Sequence, residues 1–214
     1  RVRPAAPVTA IYLIRHAHNP WMQRHRLAGW LPGIHLDEVG EQQAANLAQL
    51  LASQRLAAVY SSPLERAAET AAPLAAALGL EVVARPGLGE VRYGRWEGQS
   101  LKTLRRRKLW RLVQGRPSLA RFPEGDSFTE AQARIVTELE TLRARHRRSR
   151  HGFACVSHAD PIKLALAHYL GLPLDLFQRL VIDPASISIL LLDDFGARVA
   201  RLNDTRAGEA KLAG

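Results

Sequence analysis

The chain has 214 residues, 47% of them hydrophobic, which suits one domain with a sizeable core and is too short for two ordinary ones. No apolar stretch approaches the roughly 20 residues of a bilayer-spanning helix, and residues 1–9 lack the apolar block of a signal peptide. The net charge of +10 implies a surface that attracts anions, without naming which ones.

In chain order, Ala10 to Ile14 reads as a buried strand, and the Trp-, Arg-, Gly- and Pro-rich segment from Asn19 to His35 as a long loop. Helical periodicity runs from about Glu38 to Ser53. Ala57 to Tyr60 is a second strand, and a helix is expected to open at Ser61-Ser62-Pro63, with Ser62 as N-cap, Pro63 at N1 and Glu65 at N3. Gly79 ends it, and Glu81 to Ala84 is a third strand. A helical insertion covers about Ser100 to Gln114. Ser127 with Glu130 forms a capping box that starts a helix running to about Arg148. Gly152 to Val156 is a fourth strand, followed by a helix with Asp160 as N-cap and Pro161 at N1. Ser186 to Leu192 and Ala197 to Leu202 close the pattern.

This alternation predicts a single α/β domain with a mostly parallel central sheet flanked by helices on both faces. Residues 1–9 are expected to form a flexible arm, 10–204 the folded domain and 205–214 a tail. Cys155, the only cysteine, excludes an intrachain disulfide and points to a reducing, cytoplasmic compartment. Its apolar neighbours make it a small buried hydrophobe. Two basic clusters, Arg105-Arg106-Arg107-Lys108 with Arg111 and Arg143 to Arg150, read as solvated faces, so nucleic acid is not the expected partner.

Ligands of open α/β sheets bind beyond the carboxyl ends of the strands. Here those ends deliver Arg15-His16, Ser62 with Arg66 one helical turn on, Glu90, and Ser157-His158. Two histidines, two arginines and a carboxylate suit phosphoryl transfer. Guanidinium forks bind phosphate oxygens in pairs. A neutral imidazole at His16 is a nucleophile, kept neutral by Arg15, Arg66 and a charged His158. Glu90 is the candidate proton donor, with Glu97 and Glu69 near enough in sequence to compete.

The same residues carry a resemblance. Leu13-Ile14-Arg15-His16-Ala17, Ser61 to Ala67 with Glu69-Thr70, Gly89-Glu90 with Tyr93-Gly94 and Trp96-Glu97-Gly98, and Val156-Ser157-His158-Ala159 are similar, in order, to the motifs of the histidine phosphatase superfamily, the phosphoglycerate mutase-like proteins. The resemblance implies His16 as nucleophile, Arg15, Arg66 and His158 as phosphate ligands, Glu90 as proton donor, and no metal or organic cofactor. Ala17 and Ala159 stand where the family usually has glycine, which requires a negative φ at both. Met22 stands where an asparagine often contacts phosphate, and Asn19 is the candidate replacement. His18 reads as a rim residue. Trp21, Arg24, Arg26, Trp30 and the Arg105 cluster are candidates to line the substrate pocket beside Ala159.

The expected activity is hydrolysis of a small phosphate monoester from a phosphorylated metabolite. The family's cofactor-dependent mutases carry a longer insertion between the acid and the second histidine than the stretch from Ser100 to Arg121. A cofactor-primed phosphomutase is the second reading. A non-catalytic domain for phosphorylated or nucleic-acid partners is the third.

Overall fold

The computed structural model describes residues 8–208, so most of the expected arm and tail lies outside the described residues. The chain forms β1 (Thr9–Arg15), α1 (Pro20–Gln23), α2 (Glu38–Leu51), β2 (Leu56–Ser61), α3 (Glu65–Leu78) and β3 (Val82–Ala84). It continues through α4 (Leu101–Leu104), α5 (Lys108–Gly115), α6 (Phe128–Arg145), β4 (Gly152–Ser157), α7 (Ala159–Tyr169), β5 (Ile187–Leu192) and β6 (Ala197–Asp204). The six strands lie in the order β3-β2-β4-β1-β5-β6. The first four of these run parallel, while β5 pairs antiparallel with both β1 and β6.

Period-2 alternation in the central strands builds a core on each face of the sheet. On one face Ile11, Leu13, Phe153 and Cys155 meet Ile135 and Leu139 of α6 and Ile162 and Leu166 of α7. On the other, Ile14, Ala154 and Val156 meet Leu47 and Leu51 of α2 and Ala67, Ala71 and Leu74 of α3. Cys155 is fully buried in the first of these layers. The two sheet faces thus fix helices on both sides of strand ends that the chain must leave open for chemistry.

Several boundaries move from their expected places. The first strand begins at Thr9, and Ala207, within the expected tail, is buried in the second core. The loop from Asn19 to His35 contains the four-residue α1, capped by Asn19, whose side chain accepts from the amides of Trp21 and Met22. The insertion is two short helices rather than one, and α6 stops at Arg145. Helix α3 begins at Glu65 with Leu64 as an N-cap that makes no side-chain bond. Ser62 is therefore not the cap: its amide still bonds Val156 O at 2.8 Å, and its hydroxyl is bonded to His158 Nε2. Likewise His158, not Asp160, is the N-cap of α7, and Asp160 lies inside the first turn.

The Ser127 box forms as expected, with the Ser127 hydroxyl accepting from Glu130 N and the Glu130 carboxylate accepting from Ser127 N. Ser127→Ala should cost about 1 kcal/mol, the usual worth of an N-cap, and lower the thermal midpoint by about 2–4 °C for a chain of this size. Urea unfolding checks the first figure and calorimetry the second.

Candidate active site

Strand register brings the two histidines together. In the parallel β1–β4 pair Arg15 is opposite Ser157, so the next residue of each strand, His16 and His158, emerge side by side. Their rings meet edge to face, with centroids 5.1 Å apart. The His16 amide also bonds Ser157 O at 2.9 Å, which continues the ladder one step past the strand. In the β2–β4 pair Ser61 is opposite Val156, so Ser62 arrives beside Ser157 and His158. The sheet therefore does the work of assembly, with residues separated by up to 142 positions in the chain held by a few backbone bonds.

The His16 ring has a defined tautomer. Its Nδ1 is 2.7 Å from Ala17 O, and a carbonyl only accepts, so Nδ1 carries the proton and Nε2 keeps its lone pair. Burial, followed by the charges of Arg66 and Arg15, holds the imidazolium form well below its ordinary range. The Ala17 amide is fixed in turn by the Thr70 hydroxyl, which donates to Arg66 O.

Arg66 is 1% exposed. One terminal nitrogen donates to Gly29 O at 2.9 Å and to His158 Nδ1 at 3.2 Å. Its Nε and Nη1, like Nε of Arg15, are buried without a hydrogen-bond partner among the described residues. Arg15 is anchored through Nη1 to Ile182 O at 2.6 Å and faces the Met22 sulfur at 3.8 Å. Because Arg66 can only donate, Nδ1 of His158 accepts, and Nε2 donates to the Ser62 hydroxyl at 2.8 Å. His158 is thus neutral here, and burial with the neighbouring Arg66 depresses its basicity strongly. The charged His158 expected from sequence is corrected: burial, with the guanidinium charges of Arg66 and Arg15 and not an imidazolium, keeps His16 unprotonated.

Glu90 is buried, with Oε1 accepting from Val91 N at 2.9 Å and Oε2 lying 3.9 Å from His158 Nδ1. Burial and the Asp160 carboxylate push its carboxyl up to about 7, against the pull of Arg66. The competing glutamates are spoken for. Glu97 accepts from Tyr93 N, and Glu69 binds His35 Nδ1 and the Leu36 amide. Neither borders the cavity.

That cavity, of about 210 Å³, is walled by Arg15, His16, Asn19, Trp21, Met22, Arg26, Arg66, Glu90, Tyr93, Ala159 and Asp160, with Leu27 to Gly29. His158 is not among the wall residues, and its ring nitrogens are engaged by Arg66 and Ser62. Arg26 lies over the Trp21 ring at 5.8 Å and donates to Gly98 O. Arg24, Trp30 and the Arg105 cluster are not part of the wall. Trp30 instead donates to Glu90 O at 2.6 Å, which ties the acid's backbone to the loop. His18 turns away to Asp37 at 2.7 Å and is not a rim residue. Ala17 and Ala159 both have negative φ, so alanine is unstrained at each. Sequence reasoning missed Tyr93 and Asp160 as wall residues. Tyr93 lay within a quoted motif without a role, and Asp160 was absorbed by its resemblance to a cap.

This cluster of a neutral histidine, unpartnered guanidinium donors and a high-pKa carboxyl is the equipment of covalent phosphoryl transfer. A sequence profile of the histidine phosphatase superfamily (branch 1) matches residues 11–205. The chain is 31% identical to phosphoserine phosphatase 1 of Hydrogenobacter thermophilus, over 91% of this chain and 92% of that protein. It is also 31% identical to the probable phosphoglycerate mutase GpmB of Photorhabdus laumondii, over 83% and 82% of the two chains. Among solved structures, YhfR of Bacillus stearothermophilus superimposes with a TM-score of 0.87 at 27% identity, covering 94% of this chain and all of that one. The protein belongs to the histidine phosphatase superfamily. It is a phosphoryl-transfer enzyme, a histidine-type phosphatase or phosphomutase.

The raised carboxyl of Glu90 has a stability consequence. Folded, it releases its proton near pH 7, against 4.5 ordinarily, so the folded state binds the extra proton between those values. Stability attributable to this group therefore falls as pH rises from about 4.5 to about 7, and the penalty is complete above that. Glu90→Gln, which never ionises, should be more stable than wild type by roughly 1–3 kcal/mol at pH 8 and no more stable at pH 4.5. Urea unfolding at the two values measures this.

Proposed function

We propose that the protein hydrolyses a small phosphate monoester in two steps through a phosphohistidine on His16. The tautomer of His16 carries this reading: Nδ1–H is held by Ala17 O, and the Nε2 lone pair belongs to a ring that borders the cavity. Nε2 attacks phosphorus, the P–O ester bond breaks, and the leaving oxygen takes the proton of Glu90. In the second step water attacks the phosphorus, Glu90 as carboxylate takes its proton, and the P–N bond breaks to return His16 and inorganic phosphate. The free donors of Arg15 and Arg66 hold the equatorial oxygens, where charge builds in the transition state. His158, neutral without substrate, is a further phosphate ligand, and the arriving dianion favours its protonated form.

Hydrolysis is favoured over mutase chemistry by the modest cover. Between Glu90 and His158 the insertion supplies only the four-residue α4 and the eight-residue α5, and a mutase must keep water from its phosphohistidine. The likeness to a probable phosphoglycerate mutase supports the second reading, which a requirement for a bisphosphate primer would establish. The cavity volume suits a small phosphorylated metabolite. Asn19, Trp21, Arg26 and Ala159 complete the proposed substrate contacts. We take catalysis to be metal-independent and free of organic cofactors, the cellular setting to be the cytoplasm, and nucleic acid not to be a partner. No described helix is long and apolar enough to cross a membrane.

Trapping with labelled substrate should give an acid-labile, base-stable phosphoenzyme with the label on the His16 peptide. A label on Ser61, Ser62 or Ser157 would mean that a hydroxyl attacks instead. Glu90→Gln should slow phosphorylation by an alkyl phosphate by roughly 10²–10⁴, and far less with p-nitrophenyl phosphate, whose leaving group needs no proton. Burst kinetics separates that step from dephosphorylation. Turnover should survive exhaustive chelation; loss with EDTA and recovery with zinc or magnesium would overturn the metal-independent scheme.

A further inference from the structure

Asp160 borders the same cavity as Glu90, yet phosphate binding has no use for it, because a carboxylate repels the dianion. Its surroundings say which end of the cavity it serves. Among the arginines that border the cavity, the buried unpartnered donors belong to Arg15 and Arg66, and these mark the phosphate end. Asp160 is tied instead to Tyr93, whose hydroxyl donates to Oδ2 at 2.8 Å. Its charge also acts on Glu90, where only burial outweighs it in raising that carboxyl. Asp160 therefore shares the cavity wall with Glu90, the group that must face the leaving oxygen, and its charge reaches Arg15 as well.

Its acceptor capacity is not used up. A carboxylate offers about four lone-pair sites. Tyr93 takes one, and Lys163 reaches Oδ1 only at 3.5 Å while sharing its ammonium with Gln178 Oε1 at 3.3 Å. Arg26, the other charged wall residue beyond the catalytic set, is exposed and donates to Gly98 O. We propose that Asp160 is a specificity-determining residue that accepts a hydrogen bond from the alcohol part of the substrate, so that the leaving alcohol carries an ammonium or hydroxyl group near the ester oxygen. This rests on the hydrolysis proposed at His16.

The test uses a matched series of two-carbon esters: ethyl, 2-hydroxyethyl and 2-aminoethyl phosphate, and 2-phosphoglycolate. kcat/KM is measured for the wild type, Asp160→Ala and Asp160→Leu, neither of which offers a side-chain acceptor. Ratios are taken within each protein, so a general loss of activity or of folded fraction cancels. The wild type should prefer the aminoethyl or hydroxyethyl ester to the ethyl ester by about tenfold or more, since a site built to pair a donor rejects the analogue lacking it. Which of the two leads tells ammonium from hydroxyl, and phosphoglycolate should be poorest. Both substitutions should bring the ratio to within about threefold. No preference in the wild type, or a preference that survives both substitutions, overturns the proposal. So does an equal loss on every alkyl ester with p-nitrophenyl phosphate spared, which would make Asp160 a partner in proton donation by Glu90. If neither variant folds, the wild-type ratios alone decide. A wild type inactive on all these esters and on p-nitrophenyl phosphate would remove the function proposed at His16 as well. Turnover of p-nitrophenyl phosphate without donor preference removes only the role of Asp160.

Discussion

Two guanidinium groups are buried at the end of the sheet with donors that the protein leaves unpaired, and the rest of the site follows from that constraint. A buried charge is costly unless it is paired and hydrogen-bonded. Here the carbonyls of Gly29 and Ile182 satisfy part of each group, and the nearest carboxyl, Glu90, is itself raised to about 7. The remaining donors can be satisfied by a ligand with several oxygens and negative charge. Phosphate has both. The cost is spread over the frame: Gly29 reaches Arg66 with φ at 55°, a conformation in which a side chain would be strained, and Thr70 ties the Arg66 turn to the Ala17 amide.

The same positive field separates the titrating groups into roles. Burial holds both imidazoles neutral, and the field acts in the same direction on each. Hydrogen-bond partners then distinguish two rings of the same chemistry. A carbonyl fixes His16 with its lone pair on Nε2, while a guanidinium fixes His158 with its lone pair on Nδ1. Glu90 feels the field in the opposite sense, yet burial and Asp160 outweigh it and keep a proton available near neutrality. One low-dielectric pocket thereby holds a base without its proton beside an acid with one.

Departures from the family pattern are absorbed locally. Ala17 and Ala159 cost no backbone strain because neither needs positive φ, and Ala159 is simply the first residue of a helix. Met22 in place of the usual asparagine turns a polar contact into a sulfur facing Arg15, and Asn19 is engaged in capping α1 through its Oδ1. At Ala17 the contact that matters is made by the backbone, whose carbonyl holds His16 Nδ1 whatever the side chain.

Much of this was legible in the residues themselves. Apolar runs of strand length alternating with helical periodicity specify the layered α/β architecture, since local pattern and burial obey the same geometry. The Ser127 capping box was readable because its partners lie three residues apart. The ordered motifs marked His16, Arg66, Glu90 and His158, because each ends or follows a strand that the pattern identifies. What the sequence could not decide depends on partners distant along the chain. Ser62 resembles a cap but bonds a histidine 96 residues away, and Asp160 resembles a cap but receives a tyrosine hydroxyl from 67 residues away. The protonation of His158 was misjudged for the same reason, since only the folded chain sets a buried guanidinium against its Nδ1. Local pattern determines which elements form. The register of β4 between β1 and β2 decides which side chains meet, and through their burial and mutual charge, what each of them can do.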